Sequence, residues 1–298
     1  MKRNLVLYGF VIVAATSALL FYAMPNASAA PDDQAVLQAD RSLTAALGKS
    51  DRKSVSELLD SDFAWTGSEG KTSSKSETLQ DLARFAADNG GDTGGKALVY
   101  TQLGLVYGTH HEARFVRVWV KRPNGWRLFN DLDTPVAAEP RPAAVARTSA
   151  EPPGDCDNPC RTLPFKPATA ADKAILAEWQ KTKVDEWHPD ADDWATHIAD
   201  EFMIINNGSA RNKPDRVALA KKEQAEGIGA PGAPIVSMTM HDFGDAAVMI
   251  THHVPYQGGK PYYNVRVFVN RDGHWPLVWS QQTTIQSAAP VPAVNAKK

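Results

Sequence analysis

Apolar side chains recur at helical spacing at the start of two separate stretches of the chain, which predicts a long helix in each. Weaker periodic runs predict a second and a third helix after each long one. The predicted helices cover 33–47, 53–59 and 76–87 in the first stretch, and 171–187, 192–198 and 215–226 in the second. Helices therefore dominate the first half of each stretch.

The second half of each stretch alternates apolar and polar positions with a period of two, which is typical of β-strands. The valines from Val116 to Val120 alternate with Arg117 and Trp119. The last two strands of each stretch are joined by a predicted hairpin turn, at Pro123-Asn124-Gly125 or at Asp272-Gly273. With one short strand between the second and third helices, the predicted order is α-α-β-α-β-β-β in both stretches.

The two stretches also repeat in sequence. Val116-Arg-Val-Trp-Val-Lys-Arg-Pro-Asn-Gly-Trp-Arg-Leu runs without a gap against Val265-Arg-Val-Phe-Val-Asn-Arg-Asp-Gly-His-Trp-Pro-Leu. Upstream, Thr109-His110-His111 recurs as Thr251-His252-His253. Because the matches keep their order and the gaps fall in loops, we interpret the chain as two diverged copies of one domain.

These motifs resemble the SnoaL-like branch of the nuclear transport factor 2-like superfamily. The resemblance rests on Asp62-Phe63, the turn at Gly70, the helix start at Lys75 and, above all, the Val-Trp-Val-Lys-Arg-x-x-x-Trp-Arg-Leu run. It implies two cone-shaped α+β domains, each with about three helices packed on a curved antiparallel sheet around an apolar pocket. Members include isomerases, hydrolases and pure binding modules, so the resemblance leaves the function open.

Composition places the domain limits. The predicted domains are 31–136 and 170–286, joined by a Pro-rich linker over 137–169 and followed by a disordered tail over 287–298. Cys156 and Cys160 lie in the linker, and so close a pair predicts a small disulfide loop in an oxidising compartment. A formal net charge of −2 gives no excess of positive charge for a nucleic acid.

The N-terminus predicts export. Lys2 and Arg3 precede an apolar run from Leu5 to Met24, and Ala27-Ser-Ala29 offers a cleavage site. The run is about as long as a membrane span, so residues 1–30 are either a cleaved signal peptide or an uncleaved anchor. In both cases the domains face the periplasm or the exterior, and the membrane is contacted only through this segment.

Strand alternation predicts which side chains share a face. The valine face, with Trp126, Leu128, Asn130 and Leu132 across the hairpin, is predicted to line the core. The opposite face carries Arg117, Trp119, Phe129 and Asp131 in the first copy, and Arg266, Phe268 and Val278 in the second. Aromatic residues beside arginine are typical of an interface, so this face is predicted to join the two domains as an intrachain pseudo-dimer.

Candidate pocket residues follow from the same alternation. In the second copy Trp279 and Gln281 interrupt the aliphatic pattern, which indicates either a ligand pocket or a hydrogen-bonded buried amide. The candidate pocket consists of Asn206, His252, Tyr262, Trp279 and Gln281 in the second domain, and of His110 and Asn130 in the first. The paired histidines lack a third ligand, and Asp190, Asp192 and Asp193 fit the charge of a helix start, so neither a metal nor a cofactor is expected.

The catalytic residues that the resemblance implies are missing from the predicted positions. The first-strand positions carry no carboxylate, Asp131 and Asp133 are predicted to point outward, and no inward Asp-Arg-Asp arrangement can be identified. The sequence therefore favours an exported binding or accessory protein that holds a small apolar molecule in its second domain. Two alternatives stay open: an isomerase or hydrolase acting on a small apolar substrate, and a structural module without a ligand.

Overall fold

A computed structural model describes residues 31–90, 95–137, 155–229, 232–254 and 259–288. The predicted signal segment, most of the linker and most of the C-terminal tail lie outside these residues. Among the helices of the described part, none is long and apolar enough to cross a membrane.

The first domain begins with helices and ends with strands. Its elements are α1 (Pro31–Gly48), α2 (Arg52–Leu58), β1 (Leu59–Thr66), β2 (Thr72–Ser74), α3 (Lys75–Gln80), α4 (Leu82–Asn89), β3 (Lys96–Tyr100), β4 (Leu103–His110), β5 (Ala113–Arg122) and β6 (Gly125–Pro135). The predicted third helix is divided into α3 and α4 at Asp81, whose side chain caps α4 by accepting from the Arg84 amide.

The second domain repeats the first. Its elements are α5 (Ala170–Trp187), α6 (Ala191–Thr196), β7 (Ile198–Asn206), β8 (Ser209–Asn212), α7 (Lys213–Ala225), β9 (Ile235–Asp242), β10 (Ala246–His253), β11 (Tyr262–Val269) and β12 (Leu277–Thr284). Thr169 starts α5 with a capping box, in which its side chain and that of Asp172 satisfy each other's backbone amides.

Each domain contains one six-stranded sheet, in the order β2-β1-β6-β5-β4-β3 or β8-β7-β12-β11-β10-β9. The predicted α+β class is confirmed. The sheets are mixed rather than antiparallel, because β1 pairs with β6, and β7 with β12, in parallel. The prediction also missed the short strands β2 and β8, which fold back on β1 and β7.

The predicted roles of the two sheet faces are reversed. Phe115 and Trp119 pack against the helices of domain 1, whereas Val116, Val118 and Val120 form a shared apolar cluster with residues of domain 2. The valine face is thus the contact between the domains, and the arginine face lines the inside of each cone.

An irregularity in the β5–β6 pairing explains part of the error. Trp119 pairs with Leu128 but Val118 pairs with Asn130, so Phe129 is an extra residue in β6. The bulge moves Trp126 and Leu128 to the helix side, where both belong to the domain core. Strand β12 has the same irregularity, with Val267 paired to Trp279 and Phe268 to Leu277.

Polar contacts between the domains are reciprocal. The Thr134 hydroxyl donates to the Gln282 carbonyl at 2.8 Å, and the Thr283 hydroxyl donates to the Asp133 carbonyl. Both threonines hold the same strand position in their own copy, so each domain offers the other the same group. Such reciprocity is the geometry of an isologous contact between two copies.

The end of the linker packs on domain 2. Cys156 and Cys160 form a disulfide, as predicted, and both side chains are buried. Between them the Asn158 side chain donates to the carbonyl of Ile235 and accepts from its amide, each at 2.9 Å. The amide of Asn158 thereby occupies the edge of β9 in the way a neighbouring strand would.

Candidate functional site

The cone of domain 2 contains a cavity of 730 Å3, which lies within the range of about 300–1,000 Å3 that is typical of small-molecule sites. Side chains from α5, α7, β7, β11 and β12 line it, together with Pro159 of the linker loop. Its charged lining residues are Lys183, Glu186, Arg211, Arg216, Glu223 and Arg266. Four cations and two carboxylates give the cavity a net positive charge. The expectation of an apolar pocket is therefore wrong.

Arg266 is the least exposed cation that lines this cavity. It is 5% exposed, its guanidinium donates to the Thr251 hydroxyl at 2.8 Å, and it lies over the Trp179 ring at 5.0 Å from the centroid. Burial lowers the pKa of Arg266 to about 10. Among the described residues no carboxylate forms an ion pair with Arg266.

His253 lies beside Arg266 and is held as a neutral ring. Its Nδ1 contacts the Ala233 carbonyl at 3.0 Å, which requires a proton on Nδ1, and its Nε2 lies 2.8 Å from the Thr251 hydroxyl. Burial, followed by the charge of Arg266, sets the pKa of His253 well below its usual value. Tyr262 stacks on the imidazole at 4.5 Å, and burial raises the pKa of its phenol to about 12.

A second group of charges lies on α5 and α7 at the cavity wall. Glu186 forms an ion pair with Lys183 at 2.6 Å and lies 3.9 Å from Arg216. Burial alone would raise the pKa of Glu186, but the charges of Lys183 and Arg216 outweigh it and lower that pKa. Arg216 also pairs with Glu223 at 3.1 Å. Both cavity carboxylates are therefore already neutralised.

The first domain has the same central arginine but fills its interior. Arg117 corresponds to Arg266 and is fully buried. Its guanidinium donates to Asp40 at 3.0 Å and to the Asn89 side chain at 2.9 Å, and it lies 3.5 Å from Asp131. Burial raises the pKa of Asp131 well above its usual range, although the charge of Arg117 opposes this.

This cluster changes two predictions. Asp131 was expected to point outward and is instead fully buried beside Arg117. The structure also places Asp40, Arg117 and Asp131 together inside domain 1, where the sequence had identified no inward Asp-Arg-Asp arrangement. The three residues are packed among fully buried side chains rather than around the cavity of the second domain.

Asp133 was also expected to point outward, and it too lies inside domain 1. Its carboxylate contacts His110 Nε2 at 2.7 Å and accepts from the Trp65 indole at 3.3 Å. Burial alone would lower the pKa of His110, but the hydrogen bond and charge of Asp133 outweigh it and raise that pKa. His110 and Asp133 border an open depression of 420 Å3 on the surface of domain 1.

The filled interior of domain 1 and the cavity of domain 2 differ at two positions of the last strand. Arg117 pairs across the sheet with Asp131, whereas Arg266 pairs with Ser280. Two residues further along the strand, the first copy has Asp133 and the second has Gln282, which lines the cavity. Both copies have the arginine, but at these two positions the second copy has no carboxylate.

The predicted pocket residues divide between the two sides of the sheets. Asn206 and Tyr262 line the domain 2 cavity, and His110 faces the interior of domain 1. The following residues lie on the opposite side. Trp279 contacts Tyr107 of domain 1 in a tilted ring pair with centroids 4.6 Å apart, Gln281 donates to the carbonyls of Arg114 and Leu132, His252 stacks on Tyr263, and Asn130 pairs with Val118 of the valine face. Whether any predicted residue binds a ligand stays a prediction.

The sequence predicts His252 as a pocket residue, but the residue that lines the cavity is His253. Matching the two Thr-His-His motifs makes His110 equivalent to His252, but the strand pairings make it equivalent to His253. A shift of one residue along a strand moves a side chain to the other face of the sheet. The signal for the cavity was Arg266 itself, a charged residue repeated between valines in both copies.

No family model and no curated protein matches the sequence. Among solved structures, a protein of unknown function with a cystatin-like fold from Nostoc punctiforme is 13% identical, with a TM-score of 0.34, over 41% of this chain and 97% of its own. An NTF2-like protein from Cytophaga hutchinsonii is 16% identical, with a TM-score of 0.34, over 40% of this chain and 100% of its own.

A third solved structure, from Streptomyces avermitilis, is of a protein proposed to be a dehydratase of the NTF2-like family. It is 20% identical, with a TM-score of 0.30, over 36% of this chain and 97% of its own. These neighbours are nuclear transport factor 2-like or cystatin-like proteins, which is the resemblance that the sequence indicates. The likeness concerns the fold alone.

Proposed function

We propose that this chain is an exported protein whose second domain binds a small anionic molecule, with a carboxylate as the group that contacts Arg266. The observation that carries the proposal is a buried arginine at the wall of a 730 Å3 cavity with no carboxylate partner among the described side chains. A buried charge without a partner is unfavourable, and an anionic ligand would supply that partner. A guanidinium also matches the two oxygens of a carboxylate.

The other side chains that line the cavity are compatible with a ligand that carries polar groups besides its carboxylate. Tyr262, Asn264 and Ser280 present hydroxyl and amide groups near Arg266, and Lys183 and Arg216 add positive charge at the wall. The ligand is therefore expected to be polar, with hydrogen-bonding groups besides its acid. This replaces the small apolar molecule expected from the sequence.

Binding is favoured over catalysis by the state of the acidic groups. The cavity carboxylates Glu186 and Glu223 both form ion pairs with cations, so in the described part of the site no free carboxylate stands ready as a general base. Domain 1 has a filled interior, and we propose that it supports domain 2 through the valine faces as an intrachain pseudo-dimer.

Native mass spectrometry of protein purified from its own periplasm tests the proposal. The expected spectrum shows the mature chain together with a retained small acid, and the mass of the chain reports whether residues 1–30 are removed. An Arg266→Met variant, purified in the same way, should lose the retained acid. A neutral ligand kept equally by both proteins would refute the assignment of Arg266 as the anion-binding group.

A further inference from the structure

A cluster of two histidines and three carboxylates lies outside the cavity, where α5, the end of α6 and the β11–β12 turn meet. His197 is at its centre and its side chain is 6% exposed. One ligand atom each of Asp185, Asp193 and His197 lies within 4.8 Å of the others. The sequence alone favours a charged helix start for Asp193, because nothing in the sequence brings His197 and Asp185 to it.

The two ring nitrogens of His197 have different surroundings. Nδ1 lies 2.7 Å from the Glu178 carboxylate, which can only accept when it is ionised, so the proton of the ring is on Nδ1. His274 contacts the same Glu178 oxygen from the turn. Nε2 is buried, has no hydrogen-bond partner among the residues that the structure describes, and lies 3.6 Å from Asp193 and 3.9 Å from Asp185.

We propose that Asp185, Asp193 and His197 bind a divalent transition-metal ion, with Zn²⁺ as the ion that best fits the ligands. Two ligands of one zinc ion, each about 2.1 Å from it at a tetrahedral angle, are about 3.4 Å apart. The distances of 3.6 and 3.9 Å from Nε2 to the two carboxylates are close to this spacing. The trio of Glu178, His197 and His274 does not fit, because its atoms already contact one another directly.

Glu178 is a positioning residue in this proposal. A metal-bound histidine commonly donates its other ring N–H to a carboxylate, which fixes the tautomer and orients the ring. Glu178 is 9% exposed and already makes this contact with His197. Asp193 is 57% exposed at its side chain, which gives an ion a route in and leaves room for water in the remaining coordination positions.

The test is a Zn²⁺ titration of the metal-stripped mature chain, followed by calorimetry and by native mass spectrometry. We expect one tight Zn²⁺ per chain. Asp193→Asn should weaken that site at least about tenfold, and Glu178→Gln by about 10- to 100-fold. Asp192→Asn is the matched control, since Asp192 is on the same helix but pairs with Lys221, and its affinity should equal that of the wild type.

Calcium separates a metal site from a general acidic patch. An imidazole nitrogen is a poor ligand for Ca²⁺, which takes oxygen ligands, so excess Ca²⁺ should leave Zn²⁺ bound. The proposal is overturned if the wild type takes up no Zn²⁺, if Asp193→Asn binds it as tightly as the wild type, or if Ca²⁺ displaces it. Circular dichroism of each variant checks that a loss of binding is not a loss of fold.

Discussion

The two central arginines should differ in how much stability they lose on the same substitution, methionine, which keeps an unbranched apolar side chain and removes the charge. Arg117 is balanced by Asp40 and Asp131, whereas Arg266 has no carboxylate partner among the described residues. Removing one member of a buried ion pair costs about 3–5 kcal/mol, because the other charge is left without a partner. Arg117→Met should therefore lower the free energy of unfolding by about that amount.

The expected effect of Arg266→Met is small. Burial lowers the pKa of Arg266 from 12.5 to about 10, and at about 1.4 kcal/mol per pH unit the charged form is roughly 3 kcal/mol less favourable than in water. The substitution removes this penalty. It also removes the hydrogen bond to Thr251 and the contact with Trp179, which together contribute about 2–3 kcal/mol. The net change should lie within about 1 kcal/mol of zero.

Urea denaturation of both variants and the wild type, followed by tryptophan fluorescence, measures the difference. Each protein is first unfolded and refolded so that it carries no ligand, because a ligand would stabilise the wild type alone. Arg117→Met should be at least about 2 kcal/mol less stable than Arg266→Met. Equal losses in the two variants would mean that Arg266 is balanced within the protein, and the anion-binding argument would then fail.

Two further predictions concern neighbouring residues. The pKa of His253 is lowered well below 6.5 in the folded chain. The neutral ring therefore contributes fully to stability above pH 6.5, and this contribution is lost as the pH falls below 6.5. Between about pH 6.5 and pH 5 the wild type should lose up to about 2 kcal/mol more of its free energy of unfolding than His253→Gln. Equal pH profiles from thermal unfolding would contradict the buried neutral ring. Gln281→Leu removes two donors from the carbonyls of Arg114 and Leu132, so it should cost about 1–3 kcal/mol and loosen the two domains in small-angle scattering. An unchanged stability and scattering curve would count against the contact.

Much of the fold could be predicted from local patterns. The helical periodicity of 171–187 and the turn at Asp272-Gly273 both act over a few residues, and both match the observed elements. The duplication could be predicted as well, because the run from Val116 to Leu128 repeats without a gap. These features need no knowledge of what packs against each strand.

The side of the sheet that faces each neighbour could not be predicted in this way. Alternation groups Val116 with Val118, but it does not say whether helices or a second sheet cover them. The bulges at Phe129 and Val278 then shift the later residues of each strand to the other face. Since a valine face suits a core and a domain contact equally well, the candidate site was assigned to the wrong side of the sheet.

The cavity itself depends on long-range replacements. Ser280 leaves Arg266 without the carboxylate that Asp131 offers Arg117, and the meaning of that replacement becomes visible only when the two strands are paired. Lys183 and Arg216 come from helices far apart in the sequence and meet only at Glu186. Nothing in a single sequence indicates that these side chains contact one another.

If Arg266, which has no carboxylate partner among the described residues, binds a carboxylate, the protein should distinguish acids from their amides. Thermal unfolding is measured with acetate against acetamide and with benzoate against benzamide, for the wild type and for Ser280→Asp. We expect the acids to stabilise the wild type and the amides not to stabilise it. We also expect Ser280→Asp, which gives Arg266 the partner found in domain 1, to lose that stabilisation. Equal effects of acids and amides, or full acid binding by Ser280→Asp, would contradict these expectations.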